Sequence, residues 1–405
     1  MSDAVQQPTA SVHERIADLV VRVGANVQPG QVVAITSSPG KEDVTRALAE
    51  SAYRAGARFV DVWYFDMYVK RARLLHGREE DLDFVPSWYG QRLRALSDQR
   101  CARIALSGPA DPELFADVDP QLASRDHLPM LEESSAVVNE RTTNWCAVPC
   151  PTPGWARIVH PDLPEDKALE KLWEQVVHVL RLDADDPAKA WGERLDALDS
   201  AAAALNRGGF DALRLRGPGT DLKIGLLPSS NWLSARFETL DGVVHLPNLP
   251  TEEVFTTPDP ARVDGVVRST KPLQLGGSII RGLRVSFEGG RAVQIDADEN
   301  ADVLRGYASH DDGACRLGEV ALVDREGRIG PLDTVFYDTL LDENAASHIA
   351  LGSAYEFGVA SEDVPHINHS RIHVDFMVGA DDVEVLGITR AGDEVSVLRG
   401  GTWQI

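Results

Sequence analysis

The sequence has few cysteines, no long apolar run and too few basic residues to balance its acidic ones. Four cysteines in 405 residues are too few for a disulfide framework, which indicates a reducing compartment. The N-terminal segment lacks the pattern of a secretory signal, and no stretch approaches the roughly 18 uninterrupted apolar residues of a membrane helix. We therefore expect a cytoplasmic protein that does not enter membranes.

The charge balance is strongly acidic. Asp and Glu number 63 against 40 Lys and Arg, which gives a formal net charge of −23. Such a surface repels nucleic-acid phosphates and anionic lipid headgroups, and no concentrated basic patch offsets it. The composition therefore excludes nucleic acid as a partner and favours amine-bearing ligands and metal ions.

Several common motifs are absent or incomplete. Gly40-Lys41 lacks the flanking residues of a phosphate-binding loop, and Ser278 does not stand in a nucleophile elbow. No HExxH motif occurs. Cys146 and Cys150 have no second Cys or His pair nearby, so a zinc knuckle is disfavoured.

The N-terminal third alternates strand and helix patterns. Residues Gln31 to Thr36 and Arg58 to Tyr64 predict strands, and Lys41 to Arg54 between them has the periodicity of a helix. Arg103 to Ser107 is a third candidate strand. Strand–helix–strand at these lengths implies a right-handed βαβ unit and a partly parallel sheet.

The second half follows a different pattern. Pro164 to Leu205 is helical in character, and from Ala212 onward short strand patterns alternate with glycine-containing turns. We predict an α/β plus α+β protein, with an N-terminal α/β domain in residues 1–190 and a β-rich, metal-binding domain in residues 191–405. One helix, from Asn344 to Leu351, is predicted to interrupt the later strands.

Glu319 lies in a segment that reads as a buried strand. Cys315 to Asp324 (CRLGEVALVD) is apolar on both faces in the extended conformation, so both faces should be covered. A carboxylate inside such a core needs a cation or a proton. A metal ligand and a protonated or Arg-paired structural residue both satisfy this pattern.

His373 and Asp375 form an H-x-D pair within a second strand pattern, Ser370 to Gly379. Their Cα atoms should lie about 7 Å apart with both side chains on one face. That geometry suits a shared metal ion, and a His–Asp hydrogen bond on an exposed face is the alternative.

Two further segments add candidate ligands. His348 lies in the predicted helix, and Glu343 could reach the same centre only from the first turn of that helix. In NLPTEEVFTTP, the adjacent Glu252 and Glu253 point to opposite sides of a strand, so at most one faces a pocket. Carboxylates with imidazoles and no cysteine suit Zn, Co, Mn or Fe, and their number favours a two-metal centre.

The sequence resembles the thermophilic aminopeptidases, the family of aminopeptidase T and aminopeptidase S-like metalloenzymes, over nearly its whole length. The matching segments follow in the same order with similar spacing: NLPTEEVFTTP, RLGEVALV, FYDTLLDENAASHIALGSAY and HVDFMVG, after AYRAGARFVDVWYFD and PTPGWARIVHP in the α/β part. The resemblance implies a homodimeric exopeptidase that removes N-terminal residues from peptides with two divalent ions per chain, Zn, Co, Mn or Mg.

The resemblance also implies the site residues at the matching positions. The metal ligands are Glu253, Glu319, Glu343, His348, His373 and Asp375, and the catalytic residues are Glu253 and Tyr355. We expect Glu319 to bridge the two ions, Tyr355 to stabilise the oxyanion, and Glu253 to act as a base or to bind the α-amine.

The alternative function is that of a ring-cleaving dioxygenase of the related dihydroxypyridine type. His348, His373 and Asp375 alone would form the two-His, one-carboxylate site of a mononuclear Fe(II) oxygenase. Glu253 and Glu319 discriminate against it, since a mononuclear site does not need both.

Overall fold

The first half of the chain forms a four-stranded parallel sheet with helices around it. The structure is a computed structural model that describes residues 10–405, except 110, 112, 113, 127 and 130. Its elements are, in chain order, α1 (Val12–Leu19), a π-helical segment (Val20–Gly24), β1 (Val32–Ser37), α2 (Glu42–Arg54), β2 (Phe59–Tyr64), α3 (Met67–His76), a 3-10 turn (Glu79–Asp81), α4 (Trp88–Asp98), β3 (Ala102–Ser107), α5 (Pro120–Arg125), α6 (Glu132–Asn139), β4 (Trp145–Pro149), α7 (Pro153–Val159), α8 (Glu165–Val179) and α9 (Pro187–Gly208). The strand order is β2-β1-β3-β4, and each neighbouring pair is parallel.

The strands and the helix predicted for this half are confirmed to within two residues at either end. Helix α2 shows why the prediction works. Val44 and Leu48 are four residues apart and both buried, while Glu42 in the first turn and Arg54 in the last turn complement the helix dipole.

The two faces of the parallel sheet have different surroundings. Val33 and Ile35 point to one face and pack with Val44 and Leu48 of α2 in the main apolar core. The opposite face forms a wall of a cavity of about 600 Å³, to which α4 and α6 contribute further residues. The side chains that the sheet presents to this cavity are Ala34, Thr36, Trp63, Arg103, Ala105, Trp145 and Ala147.

The second half consists of antiparallel sheets, as the β-rich pattern predicts. Its elements are β5 (Ala212–Gly217), β6 (Thr220–Leu226), β7 (Phe237–Glu238), β8 (Val244–His245), β9 (Glu253–Thr256), β10 (Pro258–Arg268), β11 (Leu273–Leu275), β12 (Ser278–Ile280), β13 (Arg284–Glu288), β14 (Arg291–Asp296), α10 (Ala301–Ala308), β15 (Leu317–Val323), a 3-10 turn (Gly330–Leu332), α11 (Thr339–Glu343), β16 (His348–Gly352), 3-10 turns (Glu356–Gly358 and Val364–His366), β17 (His373–Met377), β18 (Glu384–Ile388), β19 (Glu394–Arg399) and β20 (Thr402–Trp403). The largest sheet has the order β14-β13-β10-β6-β5-β18-β19-β20, and a second sheet has the order β17-β16-β15-β9.

Helix α9 joins the two halves. It ends at Gly208, and the next residue, Gly209, has a positive φ of 54°, the left-handed conformation that glycine adopts readily after a helix. Trp191 and Leu198 of this helix belong to the same apolar core as Val33 of the parallel sheet and Leu213 of the eight-stranded sheet. The division into residues 1–190 and 191–405 falls inside α9 and stays a prediction.

The predicted helix from Asn344 to Leu351 is wrong. Helix α11 ends at Glu343, and His348–Gly352 is a strand of the four-stranded sheet. All five residues of β16 are buried between β15 and β17, so pairing and packing on both sides override the helix propensity of this alanine-containing segment. The helix begins earlier than predicted, because the carboxylate of Asp338 accepts a hydrogen bond from the backbone N–H of Leu341.

The cysteines are buried free thiols. Burial raises the pKa of Cys146 well above its ordinary value and that of Cys150 to about 12. Burial in the apolar core therefore opposes ionisation of both thiols. Across the described part of the chain, no helix combines the length and the apolar character needed to cross a membrane.

Candidate metal centre

One face of the four-stranded sheet carries five of the six predicted ligands. Residues directly opposite each other on neighbouring strands share a face, as do residues two apart along one strand. The cross-strand pairs are Glu253 with Val323, Ala321 with His348, Glu319 with Ala350, Ala350 with Asp375, and Gly352 with His373. Glu253, Glu319, His348, His373 and Asp375 therefore project from the same face, and Glu343 joins them from the end of α11.

Ala350 occupies the central position of this face. It is fully buried and pairs with Glu319 on one side and with Asp375 on the other. Alanine has the smallest side chain of all residues that carry a Cβ atom. The space between the two carboxylates is left free because of that small size.

The donor atoms of the six side chains form three overlapping groups. Within each group, the ligand atoms lie within 4.8 Å of one another. The groups are Glu253–Glu319–His348, Glu319–His373–Asp375 and Glu343–His348–Asp375. Because Glu319, His348 and Asp375 each belong to two groups, all six side chains form one continuous cluster.

Two oxygens of this cluster are buried without a hydrogen bond within the described residues: Oε2 of Glu253 and Oδ1 of Asp375. Nε2 of His348 lies 2.9 Å from that Glu253 oxygen, and Nε2 of His373 lies 3.4 Å from that Asp375 oxygen. The atoms are close, yet neither pair has hydrogen-bond geometry. Lone pairs that converge in this manner fit metal coordination, since a buried carboxylate oxygen without a hydrogen bond is costly.

The backbone orients both imidazoles toward the cluster. Nδ1 of His348 lies 3.2 Å from the carbonyl oxygen of Ala346, and Nδ1 of His373 lies 2.8 Å from that of Ser353. A carbonyl oxygen only accepts hydrogen bonds, so Nδ1 carries the proton in each ring. In the neutral ring, Nε2 then carries the lone pair and faces the carboxylates, which is the arrangement that metal-bound histidines have.

The electrostatics of the chain favour a cation at this place. Burial raises the pKa of Glu319, and burial with repulsion from Asp375 and other carboxylates raises that of Glu343 well above its ordinary value. Burial alone would lower the imidazole pKa values, but the surrounding carboxylates raise that of His348 well above its ordinary value and that of His373 to about 10. The excess negative charge thus binds protons unless divalent cations neutralise it.

Glu252, the neighbour of the candidate ligand Glu253, points away from the cluster. Its carboxylate is fully buried and accepts hydrogen bonds from Arg181 and Arg194. Its backbone N–H donates to Oδ1 of Asn344 at 2.7 Å. The supporting roles of Arg194 and Asn344 were missed, although an Arg in the apolar pattern of a helix is a signal that could have indicated a buried ion pair.

Tyr355 lies beside the cluster within a group of aromatic rings. Its ring centre is 5.8 Å from that of His373 and 5.1 Å from that of Phe357, on which it stacks. Burial, together with the charge of Glu319 and other carboxylates, raises the pKa of Tyr355 well above its ordinary value. The phenol therefore stays protonated and can donate a hydrogen bond.

Two adjoining cavities give access to the cluster. A small cavity of about 140 Å³ is lined by all six candidate ligands, Tyr355 and Trp145. The larger cavity along the parallel sheet shares Trp145, Tyr355, His373 and Asp375 with it. The role of Trp145 was not predicted, because it depends on how the two sheets face each other.

The comparisons with known proteins agree over nearly the whole chain. A sequence model described as thermophilic metalloprotease (M29) matches residues 10–403. Aminopeptidase T of Thermus thermophilus is 40% identical over 97% of this chain and 98% of its own length. Aminopeptidase 2 of Geobacillus stearothermophilus is 34% identical over 96% and 97%. The structure of wild-type AmpT from Thermus thermophilus gives a TM-score of 0.88 at 40% identity, covering 97% of this chain and 99% of that one.

These matches confirm the resemblance drawn from the sequence and do not favour the dioxygenase alternative. They also confirm the fold class, because the likeness to the solved structure extends through both the parallel and the antiparallel sheets. The ligand roles of the six clustered residues stay predictions. The chain belongs to the thermophilic metalloprotease family, whose members are metal-dependent peptide hydrolases.

Proposed function

We propose that the protein is a metallo-aminopeptidase that removes N-terminal residues from peptides at a centre for two divalent ions. The observation that carries the proposal is the cluster of six donor side chains in three overlapping groups. One ion uses three or four protein ligands in a catalytic site, so six ligands exceed the need of a single ion. Relatives that match at least 96% of this chain and 97% of their own length are named aminopeptidases.

The charges of the cluster support the same number of ions. Four carboxylates carry four negative charges, which two divalent cations would neutralise while both imidazoles stay neutral. Glu319 and Asp375 both belong to two donor groups, and Glu319 would be the bridging ligand because its two oxygens face different imidazoles: Oε1 lies 3.8 Å from Nε2 of His348 and Oε2 lies 3.5 Å from Nε2 of His373. Imidazole and carboxylate ligands without sulfur suit Zn, Co or Mn, and Mg is compatible with the carboxylates.

Bound ions of this kind supply an acidified water nucleophile and polarise the scissile carbonyl. The chain supplies the remaining parts of the reaction. The buried Oε2 of Glu253 is free of hydrogen bonds within the described residues, so it can accept the proton of the attacking water or bind the α-amino group. Tyr355 donates a hydrogen bond to the oxyanion that develops as the carbonyl carbon becomes tetrahedral.

The proposal is tested by metal titration and hydrolysis together. The protein is stripped with chelator, and Zn, Co, Mn or Mg is returned in steps while bound metal and release of arylamine from leucyl-, alanyl-, arginyl- and glutamyl-arylamides are measured. We expect activity to reach its maximum at two ions per chain. A maximum at one ion would overturn the two-ion centre. No release with any metal would overturn the aminopeptidase.

We also propose that the protein is a homodimer, as the sequence resemblance implies. Edge strand β2 and its neighbours expose large apolar side chains, including Val69 at 67% and Phe84 at 65% of their surface. Val69, Phe84 and Tyr64 line one groove of about 730 Å³. Several large apolar side chains exposed side by side are typical of a subunit interface. Buried, reduced cysteines support the cytoplasmic location expected from the sequence.

A further inference from the structure

Arg103 lies on the cavity face of the parallel sheet without an acidic partner. It belongs to β3, is half-buried and lines the 600 Å³ cavity. Within the part of the chain that the structure describes, no carboxylate pairs with its guanidinium; the charged and titratable neighbours are Arg92 and Cys101. Burial lowers the pKa of Arg103, and repulsion from Arg92 adds to the effect.

Arg92 provides the contrast within the same cavity. Its Nη2 lies 2.6 Å from Oδ2 of Asp61, and its guanidinium carbon lies 5.5 Å from the ring centre of Trp63. The positive charge of Arg92 is therefore compensated by the protein, whereas that of Arg103 is not. The half-buried guanidinium of Arg103 faces the cavity without an acidic neighbour in the described part of the chain, although acidic residues are plentiful in a chain with a net charge of −23. Such a charge indicates that a ligand supplies the missing partner.

The position of Arg103 connects it to the candidate metal centre. Arg103 pairs across the sheet with Trp145, at the strand spacing of about 4.8 Å. Trp145 lines both the large cavity and the small cavity of the metal ligands. His373 and Asp375 also line the large cavity. The guanidinium and the metal ligands therefore face one connected space.

We propose that Arg103 binds a carboxylate of the substrate and makes the enzyme prefer short peptides with a free carboxyl end. The inference rests on the proposed aminopeptidase function, in which the amino end of the substrate lies at the metal centre. The carboxyl end then extends into the large cavity, whose volume is in the range of ligand pockets. A guanidinium matches a carboxylate with two parallel hydrogen bonds. An acidic substrate side chain is the second source of the same chemistry.

The first test compares R103M with wild type on matched substrates. Leucyl-glycyl-glycine, its C-terminal amide and leucyl-p-nitroanilide are hydrolysed by the metal-loaded enzymes. We expect wild type to prefer the free acid over the amide in kcat/KM by about 10-fold to 100-fold, the range of a hydrogen bond to a charged group. R103M should lose this preference through a higher KM and retain arylamide turnover within about twofold, while R103K restores part of it.

Two comparisons separate the sources of the carboxylate. Peptides of two, three and four residues should show one length at which the acid–amide difference is largest, if the C-terminal carboxylate binds. A preference for glutamyl-glycine amide over glutaminyl-glycine amide that depends on Arg103 would assign the contact to an acidic side chain. Turnover of all substrates without either preference in wild type would overturn the proposal.

Thermal denaturation tests the proposal independently of turnover. R103M removes a half-buried charge that has no acidic partner among the described residues, so its Tm should exceed that of wild type, whereas R46M on the exposed side of α2 should not change it. The hydrolysis-resistant D-leucyl-glycyl-glycine should raise the Tm of wild type more than its amide does, and this difference should vanish in R103M. If the free acid and the amide raise the Tm of wild type equally, the proposal for Arg103 is overturned. This outcome does not depend on turnover, so it is distinct from a failure of the proposed aminopeptidase function.

Discussion

Nε of Arg194 lies 2.5 Å from Oε2 of Glu252, the residue directly before the candidate ligand Glu253. Nη2 of Arg194 also donates to Oδ1 of Asp324 at 2.9 Å, and Nη2 of Arg181 donates to Oε1 of Glu252 at 2.9 Å. All these charges are buried. Successive side chains of an extended segment point in opposite directions. By holding Glu252 on one side, this ionic network therefore directs the side chain of Glu253 to the other side, toward the cluster.

Arg194→Met should destabilise the protein and weaken metal binding. The substitution leaves Glu252 and Asp324 with fewer positive partners in a buried place, which costs about 3–5 kcal/mol in comparable cases. The free energy of unfolding is measured by urea denaturation of the chelated proteins. Arg46→Met, which removes a surface pair with Asp43, is the control and should have little effect. Equal stability of the two variants would contradict the role of the network.

Glu319→Gln should abolish peptidase activity while the protein still folds. An amide keeps the shape of the side chain but cannot offer an anionic oxygen to each of two ions. Loss of a residue that merely orients a ligand reduces metal affinity or activity by about 10-fold to 100-fold, so loss of the ligand itself should exceed this. Metal content after gel filtration and kcat are the measurements. Full turnover with two ions bound would contradict the bridging assignment.

Tyr355→Phe should lower kcat without releasing metal. The substitution removes one hydroxyl that is proposed to stabilise the oxyanion, and removal of such a donor costs about 100-fold to 1,000-fold in kcat. KM and metal content should stay close to those of wild type. If KM rises while kcat is kept, Tyr355 binds the substrate in its ground state and does not stabilise the oxyanion.

Ala350→Val should exclude metal from an otherwise folded protein. The added methyl groups enter the space between Glu319 and Asp375. Overpacking a core costs about 1–3 kcal/mol, so Val320→Ile on the opposite face of β15 serves as the control for destabilisation alone. Both variants should keep the far-UV circular dichroism of wild type, and only Ala350→Val should lose bound metal. Normal metal content in Ala350→Val would show that the ions do not occupy the space between Glu319 and Asp375.

Val69→Glu combined with Phe84→Glu should convert the proposed dimer into a monomer. Both side chains are exposed on the apolar surface beside β2, and two buried negative charges per subunit would oppose association. Sedimentation equilibrium of wild type and variant measures the mass. Lys167→Glu, an exposed change on α8, is the control. A wild type that sediments as a monomer would contradict the homodimer.

The sequence pattern of a single strand was enough to predict how some of the candidate ligands are placed. The apolar run around Glu319 is a fully buried strand, and the H-x-D spacing places His373 and Asp375 on one face, as expected. Alternation also separated Glu252 from Glu253 without saying which one faces the cluster. That choice depends on Arg181 and Arg194, which are distant in sequence and could not be read from the strand itself.

The surroundings of His348 were predicted wrongly because helix propensity was the only local signal there. The strand forms because β15 and β17 pair with both of its edges, and those partners come from distant parts of the sequence. The same reason explains why the large cavity was not predicted. Trp145 and Arg103 belong to the parallel sheet, and their closeness to the ligands of the other sheet is a property of the tertiary structure.

The two walls of the active cavity come from different sheets, and this separation affects how the enzyme can change. Five of the six candidate ligands belong to the antiparallel sheet, whereas Ala34, Thr36 and Ala105 belong to the parallel sheet and have small side chains. Larger residues at these three positions would shorten or reshape the space for the substrate without touching a ligand. Peptide selectivity can therefore evolve, or be engineered, while the hydrolytic chemistry is conserved.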